Sequence, residues 1–430
     1  MIYTLYSYKG GVGRSMALVN VGELFYQAGL NVLLVDWDLE APGLERFFTL
    51  DAEKISEHPG VIDMLLDYKH QMTQDWTTDI DQFPFKKPSD LTIDLHPDSS
   101  KGRLRLLTAG QRDKANFTRY ANAVLTFDWK DFYENWEGEA YFEWLRQQFL
   151  EMADIVLIDS RTGITEMGGV CTYQLGDVIV MFCGTSKQNL DGTDQMVTEL
   201  KSPAVEKARG RPLEVVVVPA RIDKESGVGD EFKREFLQRF ARHTPATFKS
   251  NTDYFWQLII PYTTVCAYKE MIVTPESSVG SEDVYGAFAR LAFALSRLAP
   301  GNSAIRKALP ETRIKIGDTS AVGSLVGGNI VLDTNVSSDL ISDTEVFHSN
   351  TPSTDPMALR QVYLNHLFTQ VSPLPFSGIE PQINTGTQSR LNLSAVYTTM
   401  FTLTVKEDEQ LNNSDQDHQQ IESLEQKPYE

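Results

Sequence analysis

Cysteine is scarce in this chain: Cys171, Cys183 and Cys266 are its three examples in 430 residues. An odd number at wide spacing excludes a disulfide framework, provides no metal-ligand spacing and fits a reducing compartment. Positive charge is also short. Lys and Arg total 39 against 59 Asp and Glu, a net charge of −20, which argues against a broad face for nucleic-acid phosphates. No apolar run reaches the roughly 18 residues of a membrane span. A strand-like run begins at Met1 and leaves no room for a signal peptide. Nor is there a terminal basic amphipathic helix to dock on a membrane. These absences lead us to expect a cytoplasmic protein with no membrane segment and no nucleic-acid coat.

What is present is a long alternation. With 41% hydrophobic residues the chain can bury a large core and carry an appendage. Short apolar runs rich in Val, Ile and Leu occur at 1–8, 31–36, 104–109, 155–159, 178–183, 213–219 and 258–261. Such runs suit strands buried on both faces. Amphipathic stretches separate them, among them 16–28 and the closing 281–298. The pattern predicts an α/β fold, a doubly wound, mostly parallel sheet flanked by helices, over residues 1–300. Residues 67–150 are rich in aromatics and read as a helical insertion, packed on the sheet or docking a partner. Residues 301–355 read as a Gly/Ser/Asn-rich linker or as short β turns stacked like a solenoid, 356–404 as a small helical region, and 405–430 as an acidic tail with too little apolar content to order alone.

The chemistry concentrates after the first strand, in Lys9-Gly10-Gly11-Val12-Gly13-Arg14-Ser15. Glycines there let successive backbone N–H groups curl around an anion at a helix N-terminus, with Met16 already in the helix. A P-loop adds a cation for the β/γ-phosphates and a hydroxyl for Mg²⁺. Ser15 is the hydroxyl, but the cation is Arg14 where the motif has Lys. Two further strand ends carry acids. Asp36 and Asp38 follow one apolar run, and an extended chain points them the same way, toward Mg²⁺ and an attacking water. Asp159 ends another, with Gly163 four residues on, where its N–H can approach a γ-phosphate. Glu40 adds a third carboxylate or a cap. All of these fall at strand C-termini, where open α/β sheets bind ligands.

On Lys9 to Gly13 with Ser15, on Val35-Asp36-Trp37-Asp38, on Asp159 to Gly163, and on Gly184 to Gly192, residues 1–300 resemble the ParA/MinD family of deviant Walker A ATPases. The resemblance implies ATP and Mg²⁺ as cofactors and an ATP-dependent homodimer in which Lys9 reaches the partner's phosphates. It makes Lys9, Arg14 and Asp38 catalytic, with Asp38 orienting water. Gly10, Gly11, Val12, Gly13, Arg14, Ser15, Met16 and Gly163 become nucleotide contacts, and Ser15, Asp36 and Asp159 metal residues. Pro219 and Arg221 fall where the family meets the base, on a looser match. Arg14 keeps the charge of the usual lysine without its compact ammonium, so binding is expected to survive and hydrolysis to be slow. Separately, Leu359 to Phe368, Leu374 to Pro381 and Arg390 to Thr399 resemble the stretch preceding NACHT modules in bacterial STAND proteins. Together these imply an ATP-driven switch that signals through residues 356–404, or through the 67–150 segment, in a sensing or defence assembly. The alternatives are a partition or positioning ATPase and a nucleotide-binding scaffold without turnover.

Overall fold

The computed structural model describes residues 1–48, 52–73, 85–97, 101–163, 165–222, 229–249, 254–274 and 284–309. By contact the chain divides into Met1–Val362 and Tyr363–Glu430, and every described residue belongs to the first. The expectations for 356–404 and 405–430 therefore lie outside the described residues. Of 301–355 only 301–309 is described, and it includes the short helix Ala304–Ala308.

Eight strands form one sheet: β1 Ile2–Ser7, β2 Val32–Asp36, β3 Thr92–Asp94, β4 Leu104–Leu107, β5 Ile155–Asp159, β6 Val178–Cys183, β7 Glu214–Ile222 and β8 Ile260–Pro261. Their spatial order is β3-β4-β2-β5-β1-β6-β7-β8. All neighbours are parallel except β3 and β4. The apolar runs predict seven of these strands. The antiparallel edge β3 is missed because three half-buried residues, Thr92, Ile93 and Asp94, carry no periodicity to read.

Among the helices are α1 Arg14–Gln27, α2 Val61–Met72, α3 Phe117–Thr126, α4 Gly138–Met152, α5 Lys187–Leu200 and α6 Val284–Leu298. Successive strand residues serve opposite faces of the sheet. Leu33, Val35, Val156 and Ile158 join a core that includes Tyr68, Phe132, Tyr141, Phe142 and Phe149. The span 67–150 thus contributes β3 and β4 to the sheet and several of its aromatics to this core. On the other face α1 comes close to the strands: a Cβ on Gly22 would lie 2.7 Å from Leu34 and 3.4 Å from Leu157. Tyr3, in register with Leu157, points the same way and donates its hydroxyl to the Leu295 carbonyl of α6 at 2.9 Å. Helices cover both faces, as double winding requires.

One close approach ties α2 to the sheet beside the site. Gly60 heads the helix, its N–H on Asp63 Oδ2 at 3.0 Å, and a Cβ there would stand 2.1 Å from the Thr108 carbonyl oxygen. Backbone cannot yield as a side-chain tip does. Gly60→Ala is expected to destabilise the protein by about 2–3 kcal/mol. A urea midpoint equal to wild type would show that the helix shifts freely.

Candidate functional site

β1 lies between β5 and β6, so the chain leaving Ser7 emerges where the sheet's connections diverge. Gly11 and Gly13 have φ of 73° and 82°, a left-handed backbone that glycine adopts without steric cost. Conformation rather than crowding sets the requirement at Gly13, where an added Cβ would meet nothing within 4 Å. Gly13 caps α1 without a side-chain bond. The first-turn N–H groups of Arg14, Ser15 and Met16 therefore have no helical partner, and they sit at the positive end of the helix dipole. Lys9, Gly10, Gly11 and Gly13 are exposed, Ser15 is half-buried, and Val12 and Met16 are buried. The segment after β6 backs the loop. A Cβ on Gly184 would touch Val12 at 3.4 Å, and one on Gly192 in α5 would overlap the Tyr8 ring at 2.3 Å.

Arg14 does not point into this cradle. It is 6% exposed, with Nε donating to Asp159 Oδ1 at 2.5 Å, Nη2 to Asp38 Oδ2 at 3.0 Å and Nη1 to Ser7 Oγ at 3.3 Å. From sequence this cation is expected to face phosphate; here its donors face Asp159, Asp38 and Ser7. A planar fork with donors on separate nitrogens can bridge two carboxylates, whereas an ammonium is a point charge. Burial alone would lower the guanidinium pKa, but Asp159 and Asp38 outweigh it and raise it.

The acids also have separate partners. Asp36 and Asp159 are register partners on adjacent strands. Asp36 Oδ2 accepts from the N–H groups of Gly43 at 2.9 Å and Leu44 at 3.2 Å, while its buried Oδ1 has no hydrogen-bond partner. Burial, then the charge of Asp159, pushes the Asp36 carboxyl up to about 7. Asp38 is raised as well, by burial first, with Arg14 opposing. The two acids have different protein partners: Asp36 is held by a backbone turn and Asp38 by Arg14. Among the described residues no group of three or more His, Cys, Asp or Glu is placed to hold a metal ion. A cation at Ser15, Asp36 and Asp159 would have to complete its shell with phosphate oxygens and water.

Gly163 has φ 73°, but its N–H already donates to the Ser7 carbonyl at 3.1 Å. That N–H is expected from sequence to approach a phosphate; here its partner is Ser7. Glu40 pairs with Arg161 rather than standing free near a water. Arg221 reaches the loop: its Nη1 donates to the Gly11 carbonyl at 2.5 Å and its guanidinium lies 4.8 Å from the Tyr262 ring centre. Pro219 is buried in β7, beside Cys183 of β6. Sequence reasoning misses Ser7, which meets Arg14 from the end of β1, and also Tyr120 and Arg112, whose contacts with Leu39 and Glu45 cross 81 and 67 positions.

No family model matches the chain, and no curated protein does. Among solved structures it is similar to apo McdA from Cyanothece, at 14% identity over 72% of this chain and 99% of that one, TM-score 0.46. It is similar to the septum site-determining protein MinD of Pyrococcus horikoshii complexed with Mg-ADP, at 16% over 69% and 96%, TM-score 0.45. A plasmid partition protein from Borrelia burgdorferi follows at 14% over 69% and 98%, TM-score 0.39. No helix among the described residues is long and apolar enough to cross a membrane.

Proposed function

We propose that the chain binds ATP with Mg²⁺ at the Lys9–Met16 loop and acts as a slowly hydrolysing, dimerising switch. The supporting observation is the left-handed Gly11 and Gly13 opening α1, with the charged set Arg14, Asp38 and Asp159 directly behind it. The residues fit the ligand: the glycine loop and free first-turn N–H groups suit phosphates, and the half-buried Ser15 hydroxyl suits a metal ion. Bound Mg·ATP would supply the scissile phosphate and a divalent charge upon it. Lys9, exposed on the loop, is available to a second copy's phosphates. Asp38 orients water once Arg14 lets go of it, and that exchange of partners is a physical reason for slow turnover.

The neighbours' names belong to positioning and partition proteins, the alternative weighed above, and not to defence proteins. The defence reading rests on residues 356–404, outside the described region. We assign no cargo from either. The scaffold reading has one observation in its favour, since the donors of Arg14 are already engaged by protein.

Single-turnover hydrolysis and sedimentation with and without ATP decide among these. Wild type is expected to dimerise with ATP and turn it over slowly, Lys9→Ala to remain monomeric, and Asp38→Ala to dimerise without hydrolysis. ATP-dependent dimerisation with equal rates in wild type and Asp38→Ala would leave the scaffold. No ATP binding would defeat the proposal.

A further inference from the structure

Asp38 sits in a turn whose shape is set from far along the chain. Ala41 N–H donates to the Asp38 carbonyl at 3.1 Å, and the next carbonyl, that of buried Leu39, accepts the Tyr120 hydroxyl at 2.6 Å. Tyr120 is the buried residue of α3, at 5% exposure, and its ring edge lies 3.0 Å from where a Cβ on Gly110 would stand. A second link runs alongside: Arg112 bonds Glu45 through Nη2 and the Gly110 carbonyl through Nη1. The outer surface of α3 is free of this packing, with Phe117 59% and Leu125 74% exposed.

We infer that Tyr120 is a positioning residue for Asp38, with α3 acting as the strut that holds the 38–41 turn in the geometry water activation requires. This rests on the reading of Asp38 as the water-orienting acid. A single carbonyl anchor matters because the turn leaves β2 and must aim one carboxylate, and a displacement near 1 Å at a reacting group costs about a hundred-fold in rate. Burial raises the phenol's pKa, so the hydroxyl remains a donor across the ordinary pH range.

Tyr120→Phe keeps the ring and removes the donor. Single-turnover hydrolysis is expected to fall about ten-fold or more, with ATP affinity within about two-fold of wild type. Amide exchange should accelerate across residues 37–45 and stay unchanged in α1. Phe117→Ala, on the exposed side of the same helix, should leave both unaltered. A Tyr120→Phe protein with wild-type rate and wild-type exchange overturns the inference. If Asp38→Ala hydrolyses like wild type, the reading of Asp38 fails instead, and the exchange measurement alone then decides whether Tyr120 holds the turn. Should Tyr120→Phe lower rate and affinity together, with exchange rising in α1 too, the role is general stability and positioning is refuted.

Discussion

Arg14→Ala is expected to destabilise the protein by about 3–5 kcal/mol. The guanidinium is bonded to two carboxylates with side-chain exposures of 3% for Asp159 and 15% for Asp38, and its own is 7%. Removing it leaves those acids buried without a counter-charge, beside Asp36, and uncompensated buried charge is among the largest single costs a substitution can impose. Arg14→Lys, the change that restores the familiar loop, should fall between, because one ammonium cannot reproduce two divergent N–H bonds. Acidification should shrink the deficit, since the stranded carboxyls can then take up protons. Urea unfolding at pH 8 and pH 5 checks both points. A loss under about 1 kcal/mol at pH 8 would mean the bridge is held no more strongly than a surface pair.

Asp36 carries the second large effect, and its sign is unusual for an acid. Its carboxyl goes from 3.8 in the unfolded chain to about 7 in the folded one. The folded state therefore binds the extra proton between those values, and stability from this group is complete below about pH 4 and lost as pH rises through 7. Full loss corresponds to about 4 kcal/mol at most. Asp36→Asn keeps an oxygen for the Gly43 and Leu44 N–H groups and abolishes the charge. It should be the more stable protein at pH 8 by a few kcal/mol, with the advantage fading toward pH 4. Other carboxylates impose their own slopes, so the difference between the two proteins across pH is the quantity to follow. A difference independent of pH would contradict the shift.

Both effects arise at a place the sequence marks and does not describe. Gly11 and Gly13 are legible because no other residue adopts their backbone so cheaply, and the acids are legible because Asp36 and Asp159 each end an apolar strand and Asp38 follows the first by two residues. Their partners are not. Arg14 takes its direction from Asp159 and Asp38, 145 and 24 positions away, and nothing in the loop itself chooses it. Gly163 has the expected backbone, yet its N–H is taken by Ser7. Tyr120 lies 81 residues from Leu39, within a segment that reads from sequence as an aromatic-rich insertion packed on the sheet or docking a partner.

Seven of the eight strands, the loop after β1 and the set of charged groups near the strand ends thus follow from the sequence alone, because periodicity and glycine conformation act over a few neighbouring residues. The tertiary structure alone decided that β3 runs antiparallel at the edge, that Arg14 lies between Asp159 and Asp38, and that α3 holds the turn bearing Asp38. Each of these depends on groups brought together across the sheet. Desolvation and hydrogen-bond competition among distant partners, rather than local propensity, then set the outcome.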